Sequence, residues 1–309
     1  MPMGKLDKIR SEVVIKLDDL LSLAEYTNAV NLSSKQPQRS VLTGKHASLI
    51  RGRGLDFDQV RKYVRGDDIR YIDWKVTART QKTYLKEYTE ERERPVLLVV
   101  NQSRSMFFGS KNKLKSVVAA ELAGIISHRV IKDKDRIGAI IIGDDKTGLI
   151  KPKGGHKHLV QLLQKLADAN QELLRKAKNT DNETLLNNTM MALRQLKPVN
   201  HLIIFISDFL HYMPSVKQEM AAQSRHNDVV LFKVNDPLEL ALGDDKWVLS
   251  DSQLQISFDG KKADNDKKFT EFNDQRKDQF SQEMLNIGIP ILQFNTVEPI
   301  HKQLSNYFR

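Results

Sequence analysis

Five short runs of nearly unbroken aliphatic residues constrain this chain more than any other feature: VLLVV (96–100), RIGAIII (136–142), HLIIFIS (201–207), DVVLFKV (228–234) and IPILQF (289–294). A strand with one wet face alternates apolar and polar residues, whereas a strand apolar at every position is covered on both faces. Helical periodicity fills much of the sequence between them. Residues 113–131 place Leu114, Val117, Val118, Leu122, Ile125 and Ile126 at helix spacing, and 158–176 do the same with Leu159, Leu162, Leu163 and Leu166. Further helices are expected at 184–196 and 213–224, with a short one closing the chain near Tyr307. The pattern predicts an α/β fold over 95–309, a mostly parallel sheet with helices on both faces. A hairpin turn is expected at 143–148 and a hairpin excursion near 236–259.

Residues 1–94 read differently and form a separate region in this reading. Ile9, Val13, Ile15, Leu17, Leu20, Leu21 and Leu23 predict one amphipathic helix over 5–26. A polar connector follows at 31–40, then a glycine-bearing loop, and 84–94 is expected as a half-exposed strand ahead of Pro95. Between Arg61 and Arg94 the basic residues are interleaved with Asp67, Asp68, Asp73, Glu87, Glu90, Glu91 and Glu93, as in an ion-pair lattice. Asp67, Asp68 and Asp73 are at hand for Arg70, Lys75 and Arg79, with Trp74 as a large apolar anchor. The segment is read first as a clamp holding the amino-terminal region on the sheet domain, and second as a docking surface.

Composition removes several classes of function. With no cysteine, disulfides, zinc–thiolate sites and thiol nucleophiles are excluded. The apolar runs are far shorter than the roughly 18 to 20 residues that cross a bilayer, so no membrane span is expected. Asp7, Lys8, Arg10 and Glu12 interrupt any leader-like stretch, and the reading is a cytoplasmic protein. The 49 Lys+Arg against 39 Asp+Glu give a net charge of +10. A positive total favours nucleic acid only when it clusters; here the signs are mixed and aromatics are 7%, so no nucleic acid is expected.

In an open parallel sheet, ligands bind beyond the carboxyl ends of the strands. The first inner strand runs into Asn101, Ser103, Arg104 and Ser105; HLIIFIS ends in Ser207 and Asp208; Thr184 opens a helix. If the two strands are neighbours, Asn101, Ser103, Ser105, Thr184 and Asp208 meet in one oxygen-only site of the kind that suits Mg²⁺. Arg104 either supplements the positive charge there or points to solvent. His211 is the histidine nearest this site. His156 and His158 have no third ligand in view and read as a solvated helix start. Gly52 and Gly54 lack the setting of a nucleotide fingerprint, so no ATP site is expected.

The set Asn101, Ser103, Ser105, Thr184, Asp208 resembles the metal-ion-dependent adhesion site of von Willebrand factor type A domains, Asp-x-Ser-x-Ser with a distant Thr and a distant Asp. Asn101 stands where that pattern has Asp, which removes one formal negative charge. A second resemblance covers most of the chain. Residues 53–57, 60–63, Gly66-Asp67-Asp68, Arg70, Ile72-Asp73-Trp74-Lys75, Ala78-Arg79 and Glu91-Arg92-Glu93, with the later Asp236-Pro237-Leu238-Glu239, are similar to the bacterial domain-of-unknown-function family 58. That resemblance implies a von Willebrand-like domain and an assembly or chaperone-like role beside a MoxR-type AAA+ ATPase. The expectation is a non-catalytic protein-interaction adaptor with a degenerate adhesion site. The alternatives are a metal-dependent phosphoester hydrolase, which needs a nucleophile and an acid from Ser103, Ser105 or His211, and a nucleic-acid binder.

Overall fold

The computed structural model describes residues 12–30, 55–65, 67–90, 94–144, 146–175, 182–210, 214–240, 246–250, 255–259 and 279–308. Along the chain come α1 (Leu17–Ser22), β1 (Leu55–Lys62), α2 (Trp74–Thr80), β2 (Tyr84–Glu90), β3 (Val96–Gln102), α3 (Lys115–Lys132), β4 (Ile137–Gly143) and β5 (Thr147–Lys153). Then follow α4 (His156–Glu172), α5 (Asn182–Leu196), β6 (Leu202–Ser207), α6 (Pro214–Gln223), β7 (Asp228–Asn235), β8 (Lys246–Ser250), β9 (Gln255–Asp259), β10 (Ile291–Asn295) and α7 (Ile300–Tyr307). A four-residue helix, Pro237–Leu240, follows β7, and residues 279–286 are helical. The chain divides into two compact units, one of residues 45–93 and one of the remainder.

In the larger unit the apolar runs assemble as one six-stranded sheet in the order β10-β7-β6-β3-β4-β5. All pairs are parallel except β4–β5, the expected hairpin. Side chains of a strand alternate between faces, and here both faces are dry. Leu98 and Val100 of β3 lie in a core with α1, α3, α4 and α7. Leu97 and Val99 lie in a second core with Met190 and Leu193 of α5, Met220 of α6 and Met284. The mixed α/β architecture is therefore a mostly parallel sheet between helical layers. Gly138 is required where β4 meets the irregular end of β5, because a Cβ there would stand 2.7 Å from the Ile150 carbonyl and 2.8 Å from Pro152.

The helix expected over 5–26 takes another form. Residues 1–11 lie outside the described ones, and within 12–30 the chain leaves helical geometry at 14–16 before α1 and a 3₁₀ turn, Leu23–Ala29. The cause is a distant partner: the Ile15 amide donates to Asn170 Oδ1 at 2.9 Å, and the Lys16 amide donates to Asp19 Oδ2 at 2.9 Å. Ile15 and Leu20 thereby enter the core, and the His128 ring bonds the Leu20 carbonyl at 2.9 Å.

Both flanks of the sheet are closed chemically. At β10 the Gln293 amide donates to the Tyr307 hydroxyl (3.0 Å), which donates to the Gln293 carbonyl (2.9 Å). Two residues on, the Gln303 carboxamide accepts from the Asn295 amide (2.8 Å) and donates to its carbonyl (3.0 Å). At the other flank β5 ends in Lys151-Pro152-Lys153, where proline has no amide to offer.

The smaller unit is an antiparallel pair, β1 and β2, with α2 in the connection. The Asp73 side chain caps α2 by accepting from the Lys75 and Val76 amides at 3.0 and 3.1 Å. The carboxylate partners differ from those expected. Arg70 does pair with Asp68, but Asp67 forms a bidentate pair with Arg61, both bonds 2.8 Å, which holds the Asp67 carboxyl down at about 2. Lys75 and Arg79 have no ion-pair partner among the described residues. Trp74, expected as an anchor, is 71% exposed.

Candidate functional site

The sheet reverses its direction of growth between β3 and β6, so their carboxyl ends flank a crevice. Val100 pairs with Ile206, which sets Asn101 beside Ser207. The Asn101 amide group donates to Ser207 Oγ at 3.0 Å, and its Oδ1 accepts from the Ser103 amide at 2.9 Å. The chain then makes a 3₁₀ turn, Arg104–Met106, which leaves the Ser103 and Ser105 hydroxyls bonded to each other at 3.3 Å. Asp208, 2% exposed, accepts from the Leu210 amide at 3.2 Å through Oδ1. Asn101, Ser103, Ser105 and Asp208 all line one cavity of about 70 Å³, together with Phe205, Met190 and Val216. Thr184 sits in the first turn of α5; its side chain is outside the described ones, as is His211. Leu185 and Thr189 of the same helix line the cavity.

Two residues that the sequence reading left out of the site govern its charge. Lys115, in the first turn of α3, is fully buried; its ammonium donates to Asp208 Oδ2 at 2.9 Å and to Glu239 Oε1. Burial alone would lower the Lys115 pKa, but the two carboxylates together raise it, so the group stays charged. Burial pushes the Glu239 carboxyl up, against the pull of Lys115. The Asp-Pro-x-Glu element thus reaches the site through its glutamate. Its aspartate ties the surrounding loops: Asp236 Oδ2 accepts from the Ser110 amide (2.9 Å) and the Thr296 hydroxyl (2.6 Å), and Oδ1 accepts from the Leu238 amide (3.0 Å). Burial would raise the Asp236 pKa; these donors lower it. The available signal for Lys115 was a lysine opening an otherwise apolar helix, KSVVAAELAGII.

Arg104 neither faces the cavity as a cation nor points to solvent. Its guanidinium donates to the Leu173 carbonyl (2.7 Å) and the Arg175 carbonyl (3.3 Å), closing the carboxyl end of α4, while its amide donates to Asp144 (2.6 Å). His156 begins α4 and is exposed, and the His158 ring bonds the Ile137 carbonyl at 2.8 Å. Hard divalent cations bind more tightly as anionic oxygens accumulate. Among the described side chains this edge offers the Asp208 carboxylate, bonded to the Lys115 ammonium, the Asn101 amide, and the hydroxyls of Ser103, Ser105 and Ser207. No group of three or more His, Asp or Glu suited to a metal occurs among the described residues.

Solved structures with similar coordinates include a conserved hypothetical protein BatB from Bacteroides thetaiotaomicron (TM-score 0.41, 14% identity, covering 69% of this chain and 96% of that one). The SpRpn10 VWA domain gives a TM-score of 0.39 at 10% identity, covering 70% of this chain and 95% of that one. Sequence similarity is closer. An uncharacterized protein of Mycobacterium bovis and one of Mycobacterium tuberculosis are each 30% identical over 222 residues, 72% of this chain and 68% of theirs. Residues 59–279 match the model of the family described as Protein of unknown function DUF58. That span takes in β2 to β9, the edge built by Asn101 and Asp208, and the Asp236–Glu239 element, and the chain belongs to that family.

Proposed function

We propose that this chain is a non-catalytic interaction adaptor whose contact surface is the β3–β6 edge, acting with a MoxR-type AAA+ ATPase in protein assembly or maturation. The observation that carries the reading is the buried Lys115 ammonium between Asp208 and Glu239. It supplies the positive charge that an adhesion site takes from a metal, and it commits the carboxylates that a hydrolase would use. The Ser103 and Ser105 hydroxyls bond each other rather than a base, which leaves neither serine activated as a nucleophile. A small cavity lined mainly by apolar side chains with a few polar ones suits one inserted partner side chain.

The ATPase is named by the family resemblance, and its binding is the test. Ser105→Trp places an indole in the cavity that Ser105 lines. Calorimetry with purified MoxR-type ATPase is expected to give roughly tenfold weaker binding for the variant, and identical binding of the parent chain in Mg²⁺ and in chelator. Unchanged affinity in Ser105→Trp, or binding abolished by chelator, overturns the proposal. Turnover of p-nitrophenyl phosphate with Mg²⁺ or Mn²⁺ would do the same.

A further inference from the structure

The outer face of α2 carries an aromatic ring and two cations that no described group answers. Helix positions advance by about 100° per residue, so Trp74, Lys75, Ala78 and Arg79 fall within one arc of about 140°, and all four are exposed. Val76 and Thr77, half-buried, occupy the opposite side, where Thr77 Oγ1 accepts from the Tyr84 amide of β2 at 3.0 Å. The 3₁₀ turn before the helix adds Ile69 and Tyr71, 66% and 41% exposed. Among the described side chains the acids beside the helix are engaged: Asp67 by Arg61, Asp68 by Arg70, and Asp73 by the helix cap. Lys75, Arg79 and the following Lys82 have no ion-pair partner among the described residues.

We propose that this face docks an acidic protein surface, one that seats the Trp74 indole in an apolar pocket rimmed by carboxylates opposite Lys75 and Arg79. Charge complementarity sets the sign of the partner. Tryptophan and arginine are also the residue types that most often dominate the energy of a protein interface. Asp67 and Asp68 are neutralised by Arg61 and Arg70, so the free charge of this face is three cations around one ring, a cluster too small to track a phosphate backbone but enough to meet a few carboxylates on a protein. The face belongs to the smaller unit, so the inference is independent of the β3–β6 edge and fails or holds separately from it.

The full chain carrying Trp247→Phe retains Trp74 as its single indole, which makes its fluorescence a reporter of this face. The probe is a synthetic peptide alternating glutamate pairs with leucine and phenylalanine, tested beside oligothymidine and phosphatidylserine vesicles. A saturable blue shift with the peptide is expected, weakened roughly tenfold or more by Lys75→Glu with Arg79→Glu, while circular dichroism is unchanged. An emission that the peptide leaves unmoved overturns the proposal. A stronger response to oligothymidine or to vesicles overturns it in favour of nucleic acid or lipid. An indole that acrylamide fails to quench in the chain alone overturns it too, because the face is then covered by the chain itself.

Discussion

A single ammonium decides the character of the β3–β6 edge. Lys115 lies 93 residues from Asp208 and 124 from Glu239 in sequence; Lys115 and Asp208 meet out of water, and Glu239 is half-buried beside them. Removing one member of a buried ion network leaves charges without a partner and costs about 3–5 kcal/mol, whereas replacing the whole set with neutral groups costs much less. Lys115→Met is therefore expected to lose about that much in urea unfolding, and Lys115→Met with Asp208→Asn and Glu239→Gln to recover most of it. The pH dependence has a definite sign. The folded pKa of Lys115 lies above its unfolded value, so its contribution is complete below the unfolded value and is lost as pH rises through the folded one. The parent chain should show that alkaline loss and Lys115→Met should lack it. Asn101, Ser103, Ser105 and Asp208 were legible in the sequence because each follows an apolar strand directly. Lys115 was not, since a lysine in the first turn of a helix ordinarily reaches solvent, and nothing local announces that two carboxylates arrive from the segments that follow β6 and β7.

Among the elements, the strands were the most legible because their wholly apolar composition admits few settings in a folded chain. The helices followed within a few residues, as 115–132 against an expected 113–131 illustrates. The break at 14–16 was beyond sequence reasoning, because its cause, Asn170, lies 155 residues away and only periodicity was visible locally. The same limit applies to Trp74, whose size suggested a buried anchor while its place on the outer face of α2 depended on the pairing of β1 with β2. Gly138 shows how little slack the β4–β5 ladder has. Gly138→Ala forces a methyl against backbone rather than a flexible side chain, and a loss of about 1–3 kcal/mol in denaturant unfolding is expected from overpacking.

Across the whole chain, the amino-terminal helix packs in the unit of the sheet, although sequence composition grouped everything before residue 94 together. The long polar connector gave no indication of which partner the helix would choose. The closed flanks of the sheet yield a prediction at this scale. Gln303→Leu with Tyr307→Phe removes the side-chain bonds to Gln293 and Asn295 while keeping apolar bulk. Unmet backbone groups on an edge invite pairing with another chain, so light scattering on mild heating should rise sooner than in the parent protein, with melting temperature lowered only slightly.

The tyrosine and glutamine of α7 therefore act as terminators. They occupy the Gln293 and Asn295 backbone groups that a foreign strand would otherwise join at this border of the sheet. Recruitment by strand exchange is barred at that border, and a companion that meets the protein there must be gripped by side chains.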